Sequence, residues 1–133
     1  LYLNLAECYA ALDEVPQALA QLNIVRKRAG IRELTTSDVT DDMPIMKWVQ
    51  NERFVELWGE GHRYYDIRRW MIAPQTESKT MHGIEITRAT DGTKTWKEFD
   101  VRTHVWRPAM YFFPIPYNET VKSKDLLQNP YYN

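Results

Sequence analysis

The sequence lacks the features that mark several common classes of protein. Its single cysteine, Cys8, excludes a disulfide within the chain and a zinc site built from several cysteines. No run of about 18 apolar residues occurs, so no transmembrane helix is predicted. The net charge of −1 gives no basic excess of the kind that binds nucleic acid or anionic lipid. What is present, 44% hydrophobic residues over 133 positions, suffices for one domain with a core.

Residues that carry chemistry are also sparse. His62, His82 and His104 show no metal-ligand spacing, so no metal is predicted. The Gly59-Glu60-Gly61 stretch lacks the lysine and the preceding strand of a phosphate loop, and no cofactor is predicted. Cys8 has no matched histidine and aspartate, so we expect a buried helical cysteine and not a nucleophile.

The first thirty residues read as two helices. A helix over residues 1–12 is predicted, and a second runs from Pro16 to about Ala29, where Gly30 stops it. The small residues around the break resemble the packing of a tetratricopeptide helix pair, so an αα-hairpin is expected over residues 1–30. The apolar spacing places these residues on the inward faces: Leu1, Leu5, Cys8 or Tyr9, and Leu12 in the first helix, and Leu19, Leu22 and Val25 or Arg26 in the second.

The stretch from Trp48 to Trp70 has the most distinctive sequence in the chain. After a polar loop over residues 31–42, a helix is predicted from Asp41 or Met43 to Trp58. Glycines bracketing Glu60 should bend the chain before a shorter helix, His62 to Met71, which Pro74 closes. Residues 41–71 are thus expected to be core helices. Bulky residues point in nearly every direction around the first of them, which is typical of a buried helix: Trp48, Val49, Phe54, Val55, Leu57 and Trp58.

Charges are interleaved with those bulky residues. Buried carboxylates must be paired, and arginine can satisfy them two donors at a time. Two such carboxylates could flank a sugar bond as in a glycosidase, but an adjacent arginine lowers a carboxyl pKa, which is wrong for a general acid. We therefore predict no catalytic residue and a structural ion-pair frame, which comprises Glu52, Arg53, Glu56, Glu60, Arg63, Asp66 and Arg69.

The last third changes character. Alternating apolar residues around Asp91-Gly92 favour a small β-hairpin within residues 75–107, and an irregular excursion is the alternative. Trp96 and Trp106 lie there, where an exposed ring is most expected, and they are candidates for contacting a ligand such as a sugar. Residues 108–133 contain too many prolines for a central strand, so an extended segment is predicted, with one helical turn near Asn118. Three of its aromatics are expected in the core: Tyr111, Phe112 and Phe113.

Three blocks of sequence resemble the C-terminal part of the SusD/RagB family. The first ends the second helix, from Leu22-Asn23 to Ala29-Gly30. The second, the most specific, begins Asn51-Glu52-Arg53 and ends at Trp70. The third is Phe113-Pro114-Ile115-Pro116 with Gln128-Asn129-Pro130. One departure is Tyr131, which stands where the family usually has glycine.

The resemblance implies an all-α fold of tetratricopeptide-like helix pairs, with residues 1–133 as the C-terminal portion of a SusD/RagB-like domain. It also implies a non-catalytic, surface-exposed lipoprotein of the outer membrane, anchored by lipid upstream of these residues. Such a protein binds oligosaccharide and passes it to a TonB-dependent, SusC-like transporter. A helical-repeat scaffold that binds a peptide or protein is the alternative.

Overall fold

The computed structural model describes residues 1–123 and 125–132 and divides into two compact units, Leu1–Arg63 and Tyr64–Asn133. Helices dominate, and one antiparallel hairpin supplies the two strands of the described chain. The expected helical fold with a small hairpin is therefore confirmed, and the irregular alternative for residues 75–107 is wrong.

The first unit is built on a helix pair and a third helix. α1 spans Tyr2–Ala11, α2 spans Val15–Arg28, and α3 spans Ile45–Glu56. Pro16 lies in the first turn of α2, where its missing N–H costs no hydrogen bond. Three basic residues occupy the last turn of α2, next to the negative end of the helix dipole, and Gly30 follows with a φ of 71°.

The three helices share one apolar core. Ala6 and Ala18 are fully buried, and such small side chains allow the backbones of α1 and α2 to approach closely. Leu19, Leu22 and Val25 face inward as predicted. The complete buried set is Leu3, Ala6, Ala10, Ala18, Leu19, Leu22, Val25, Leu34, Ile45 and Val49.

The inward face of α1 differs from the prediction. Leu3, Ala6 and Ala10 are buried, whereas Leu1, Leu5, Cys8 and Leu12 of the predicted stripe are exposed. Tyr9, the predicted alternative to Cys8, is half-buried against the core. Both stripes are apolar and have helical spacing, so the pattern alone could not choose between them. The stripe with alanines faces the partner helices. The expected burial of Cys8 is therefore wrong in this chain.

α3 is also less enclosed than expected. Its buried side carries Ile45, Val49 and two charged residues, Glu52 and Arg53. Three bulky residues that were expected inside are exposed: Phe54, Val55 and Trp58. α3 ends two residues before Trp58, at Glu56, and the turn that follows uses Gly59 and Gly61 at φ values of 81° and 77°.

The polar loop between α2 and α3 is held by side chains. The Asn23 amide donates to the Leu34 carbonyl at 2.8 Å and accepts from the Leu34 N–H at 2.7 Å. A 3-10 turn, Thr36–Asp38, is closed by a capping box in which Asp38 accepts from the Thr35 N–H. Arg32 donates to both Asp38 oxygens, and these hydrogen bonds hold the pKa of Asp38 well below its usual range.

The second unit begins inside α4, which spans His62–Arg69. A further helix, α5 at Ala73–Glu77, was not predicted, and Pro74 lies in its first turn instead of closing α4. α6 spans Tyr117–Lys122 and confirms the helical turn predicted near Asn118. Among the described residues, no helix has the length and apolar content needed to cross a bilayer.

The hairpin joins β1, Thr80–Arg88, to β2, Lys94–Thr103. Gly92 has a φ of 89° in the connecting turn, and Asp91 accepts a hydrogen bond from the Thr93 N–H, which lowers the pKa of Asp91. The register shifts by one residue between Met81 and His82.

The C-terminal segment is held to itself by amide side chains. Gln128 accepts from the Ile115 N–H at 2.7 Å and donates to the Ile115 carbonyl at 2.8 Å, and Asn129 donates to the Phe113 carbonyl. A 3-10 turn, Pro108–Tyr111, interrupts the extended chain. Tyr111 is half-buried, but Phe112 and Phe113 are exposed, so the prediction that these two are core is wrong.

Candidate ligand-binding surface

Trp96 lies on one face of the hairpin, directly opposite Ile86 in the register. Side chains opposite each other in an antiparallel pair share a face, so Ile84 lies on this side too, diagonal to the tryptophan. The indole is 64% exposed. A flat aromatic surface with aliphatic neighbours is therefore open in the described chain.

Polar groups continue the same face on either side of the ring. Toward the base, His82 Nδ1 lies 2.9 Å from Asp100 Oδ1 and 3.6 Å from Glu98 Oε1. Toward the turn, the register pairs Arg88 with Lys94. The strip thus joins an aromatic plane to carboxylates, an imidazole and cations, the groups that bind the apolar face and the hydroxyls of a sugar.

On the opposite face of the hairpin, apolar side chains crowd the region near the base. Phe99 and Val101 lie over Gly83, where an added Cβ would meet Val101 Cγ2 at 2.8 Å and Phe99 Cζ at 2.9 Å. Glycine at this position is what lets the two side chains fold onto the backbone of β1. Nearer the turn, the same face carries Glu85 opposite Lys97, so polar groups lie on both faces of the hairpin.

Trp106 is placed quite differently from Trp96. It is half-buried, with its ring edge-on to Tyr111 at 5.1 Å and the Arg68 guanidinium 5.0 Å from its centroid. Its indole nitrogen is inaccessible and has no hydrogen-bond partner among the described atoms. Arg68 also stacks on Tyr64 at 3.5 Å and donates to the Met110 carbonyl. Trp106 belongs to a packed cation–aromatic cluster.

The predicted ion-pair frame finds its partners on other helices. Glu52, buried on α3, accepts from Arg26 of α2 at 2.8 Å. Arg53, also buried, donates to Asn4 Oδ1 at 2.6 Å and lies 3.8 Å from Glu7, both on α1. These charges therefore tie α3 to both helices of the pair.

The other members of the frame in the first unit are more exposed. Glu56 pairs with Arg28 near the surface, and the Arg63 guanidinium lies 4.7 Å from the Phe54 ring. Glu60 was expected to be buried but is exposed, 3.8 Å from His62, because it sits in the glycine turn after α3 has ended.

Asp66, in the second unit, is buried and accepts two hydrogen bonds from Arg69, at 2.9 and 2.8 Å. A carboxylate that accepts two guanidinium hydrogen bonds suits a structural anchor. No cluster of three metal-ligating side chains occurs in the part of the chain that the structure describes.

Sequence reasoning missed the polar half of the hairpin face. His82, Glu98 and Asp100 were not singled out, although alternation along two strands around Asp91-Gly92 places them beside Trp96. The one-residue register shift below His82 could not be read from the sequence. Alternation was therefore a usable signal for the face, but not for the pairing at its base.

The architecture defines a class: a tetratricopeptide-like helix pair, a third helix tied to it by buried charge, and a hairpin followed by an amide-clasped segment. A model of the SusD family matches residues 1–132, and the chain belongs to that family. Comparison with the curated proteins gives no match.

Solved structures agree with this assignment. Two structures of the protein BT4246, one of them with selenomethionine, are 42% identical to the chain, with TM-scores of 0.86 and 0.82. They cover 98% of this chain, which in turn spans 23% and 22% of theirs. A SusD-like protein from Bacteroides fragilis, BF3747, is 34% identical over 98% of the chain, with a TM-score of 0.83, and the chain spans 24% of it.

Proposed function

We propose that this chain is part of a non-catalytic nutrient-binding protein that captures oligosaccharide at the cell surface. Membership of the SusD family carries the proposal. The ion pairs of Glu52 with Arg26 and of Asp66 with Arg69 support the absence of catalysis, since both carboxylates are already engaged by structural arginines. Because the chain spans 24% or less of its solved relatives, the function belongs to the whole polypeptide.

The proposed partner is a TonB-dependent, SusC-like transporter of the outer membrane. The protein would be a surface-exposed lipoprotein whose anchor lies outside these residues. Co-purification of the full-length protein with a transporter from detergent-solubilised membranes tests the partnership.

Within this chain, we assign the ligand contact to the Trp96 face of the hairpin. The exposed indole can stack on a pyranose ring, and Asp100 and Glu98 can accept hydrogen bonds from hydroxyls. Trp106 is the weaker candidate, because its ring already contacts Arg68 and Tyr111. Its proposed role is to support the segment that follows the hairpin.

The test begins with a glycan array probed by the full-length protein, followed by calorimetry with the oligosaccharide that binds best. Trp96→Ala should weaken binding roughly 10-fold, equivalent to about 1.4 kcal/mol, because the stacking plane is lost. Its melting temperature should stay within about 1 °C of the parent's, since the ring is exposed. Trp58→Ala is the matched control, because Trp58 is 82% exposed and lies outside the hairpin.

Each failure has a distinct meaning. Equal affinity of the Trp96→Ala and parent proteins would move the sugar site away from the hairpin while leaving the family role intact. If the full-length protein binds no glycan on the array but does bind members of a peptide library, the proposal of oligosaccharide capture is wrong. Turnover of an oligosaccharide that disappears on Glu60→Gln would overturn the non-catalytic assignment.

A further inference from the structure

Two basic side chains lie directly opposite each other on the Trp96 face of the hairpin. The register pairs Arg88, at the end of β1, with Lys94, at the start of β2, and both residues are exposed. Within the described part of the chain, neither side chain forms an ion pair or a hydrogen bond. Like charges directly opposite each other destabilise an antiparallel pair, and a bound anion would offset that cost.

The two cations lie beside the exposed indole. Successive side chains on one face of a strand are roughly 7 Å apart, so Lys94 is the neighbour of Trp96 on β2, and Arg88 lies diagonally across the ladder from the ring. A pyranose ring stacked on the indole therefore has its edge nearer the turn within reach of two long basic side chains. The forked donors of a guanidinium match the two oxygens of an anionic substituent at that edge.

The other end of the same face carries the opposite charge. Glu98 is the next residue of this face beyond Trp96, and Asp100 follows it beside His82. These carboxylates repel an anion, whereas they can accept hydrogen bonds from uncharged hydroxyls. The charge along the face therefore favours one orientation of an acidic sugar, with its anionic group toward the turn.

We propose that the Trp96 face binds an acidic sugar, a pyranose ring whose carboxylate or sulfate group pairs with Arg88 and Lys94. The inference rests on the oligosaccharide capture proposed above and narrows its substrate class. The hairpin also offers an internal comparison. Lys97, on the opposite face, lies across the ladder from Glu85, so its charge has an opposite charge beside it.

The ligand side is tested with a glycan array of matched acidic and neutral members, probed by the full-length protein. The best binder should be acidic. Removing its charge, by carboxyl reduction of a uronate or by desulfation of a sulfate ester, should weaken binding in calorimetry by roughly 10-fold. The treatment that weakens binding identifies the anion. A neutral glycan that binds as tightly as its acidic counterpart overturns this inference and leaves oligosaccharide capture standing, whereas binding of no glycan overturns both.

The protein side is tested with Arg88→Gln and Lys94→Gln, each of which should weaken binding of the acidic glycan by roughly 5-fold. Neither should change binding of the same glycan without its charged group. Lys97→Gln removes the same charge from the other face and should bind like the parent. All three side chains are exposed, so the melting temperatures should match the parent's.

Salt separates a local ion pair from the effect of overall charge. About 1 M NaCl shortens the Debye length to about 3 Å, which should weaken binding of the acidic glycan to the parent. Binding to the double variant Arg88→Gln/Lys94→Gln should change little. An equal loss of affinity in Lys97→Gln and Lys94→Gln would mean that only the net charge of the hairpin matters, and it would overturn the proposed site.

Discussion

The two units differ in how they hold their apolar side chains. Between Leu1 and Arg63 ten apolar residues are buried, whereas among the described residues from Tyr64 onward only Ile67 and Ala73 are. The first unit is held by a core and by charge pairs that join its helices. The second relies on hydrogen bonds to backbone, namely the hairpin ladder and the amide clasp of Gln128 on Ile115.

This contrast shows what aromatic content means in each half. In the first unit, Trp48 packs against the core and donates its indole N–H to the Asp38 carbonyl at 2.9 Å. In the second, Phe113 is 70% exposed although it stacks on Tyr64 at 6.1 Å. Bulky rings there form surface, which a ligand or another part of the protein can cover.

The largest expected effect is on the charge pairs of the first unit. Arg53→Ala leaves Asn4 and Glu7 without their buried guanidinium and should cost about 3–5 kcal/mol in the free energy of unfolding. Urea denaturation of the full-length protein measures it. Arg28→Ala is the control, because its pair with Glu56 is near the surface and should be worth under about 1 kcal/mol. Similar losses for the two would show that buried charge does not hold this unit together.

The amide clasp should give the next largest effect. Gln128→Ala leaves both the N–H and the C=O of Ile115 without a partner and should cost about 1–3 kcal/mol. Hydrogen exchange at the Ile115 amide should speed up at the same time, which localises the loss to the clasp. Gln17 is exposed and its side chain makes no hydrogen bond within the described part of the chain, so Gln17→Ala provides the control. An unchanged exchange rate at Ile115 would contradict a stabilising role for the clasp.

The sequence could predict features that depend on neighbouring residues, but not contacts between residues distant in the chain. Local signals were sufficient for the helix pair and the hairpin, because Pro16, Gly30 and Asp91-Gly92 act within a few residues. Contacts distant in sequence were not readable: Glu52 pairs with Arg26, 26 residues away. Spacing along one helix suggests that a carboxylate is paired, but not which element supplies the arginine.

The candidate site divides in the same manner. Trp96 was predictable as an exposed ring, because it lies in an alternating segment near a turn. The position of Trp106 depends on Arg68, 38 positions earlier, and no pattern in the sequence joins the two. Phe112 and Phe113 were assigned to the core for their size, yet side-chain-to-backbone bonds such as Asn129 to Phe113 fix that segment without burying them.

The smallest expected effect concerns Tyr131, which sharpens the view that backbone geometry governs the second unit. Tyr131 has a φ of 71°, the left-handed region that favours glycine. The neighbouring Tyr132 hydroxyl lies 3.0 Å from both the Ala109 and Phe112 carbonyls, which holds this conformation in place. A residue with a Cβ in the left-handed region is strained by roughly 1–2 kcal/mol, and glycine relieves that strain. Part of the relief is lost because glycine also raises the entropy of the unfolded chain. Tyr131→Gly should therefore raise the free energy of unfolding by up to about 1 kcal/mol, whereas Tyr131→Ala, which keeps the Cβ, should not. If the glycine variant is less stable than the alanine variant, the exposed ring contributes more than the strain costs, and the second unit depends on its aromatic side chains as well as on its backbone.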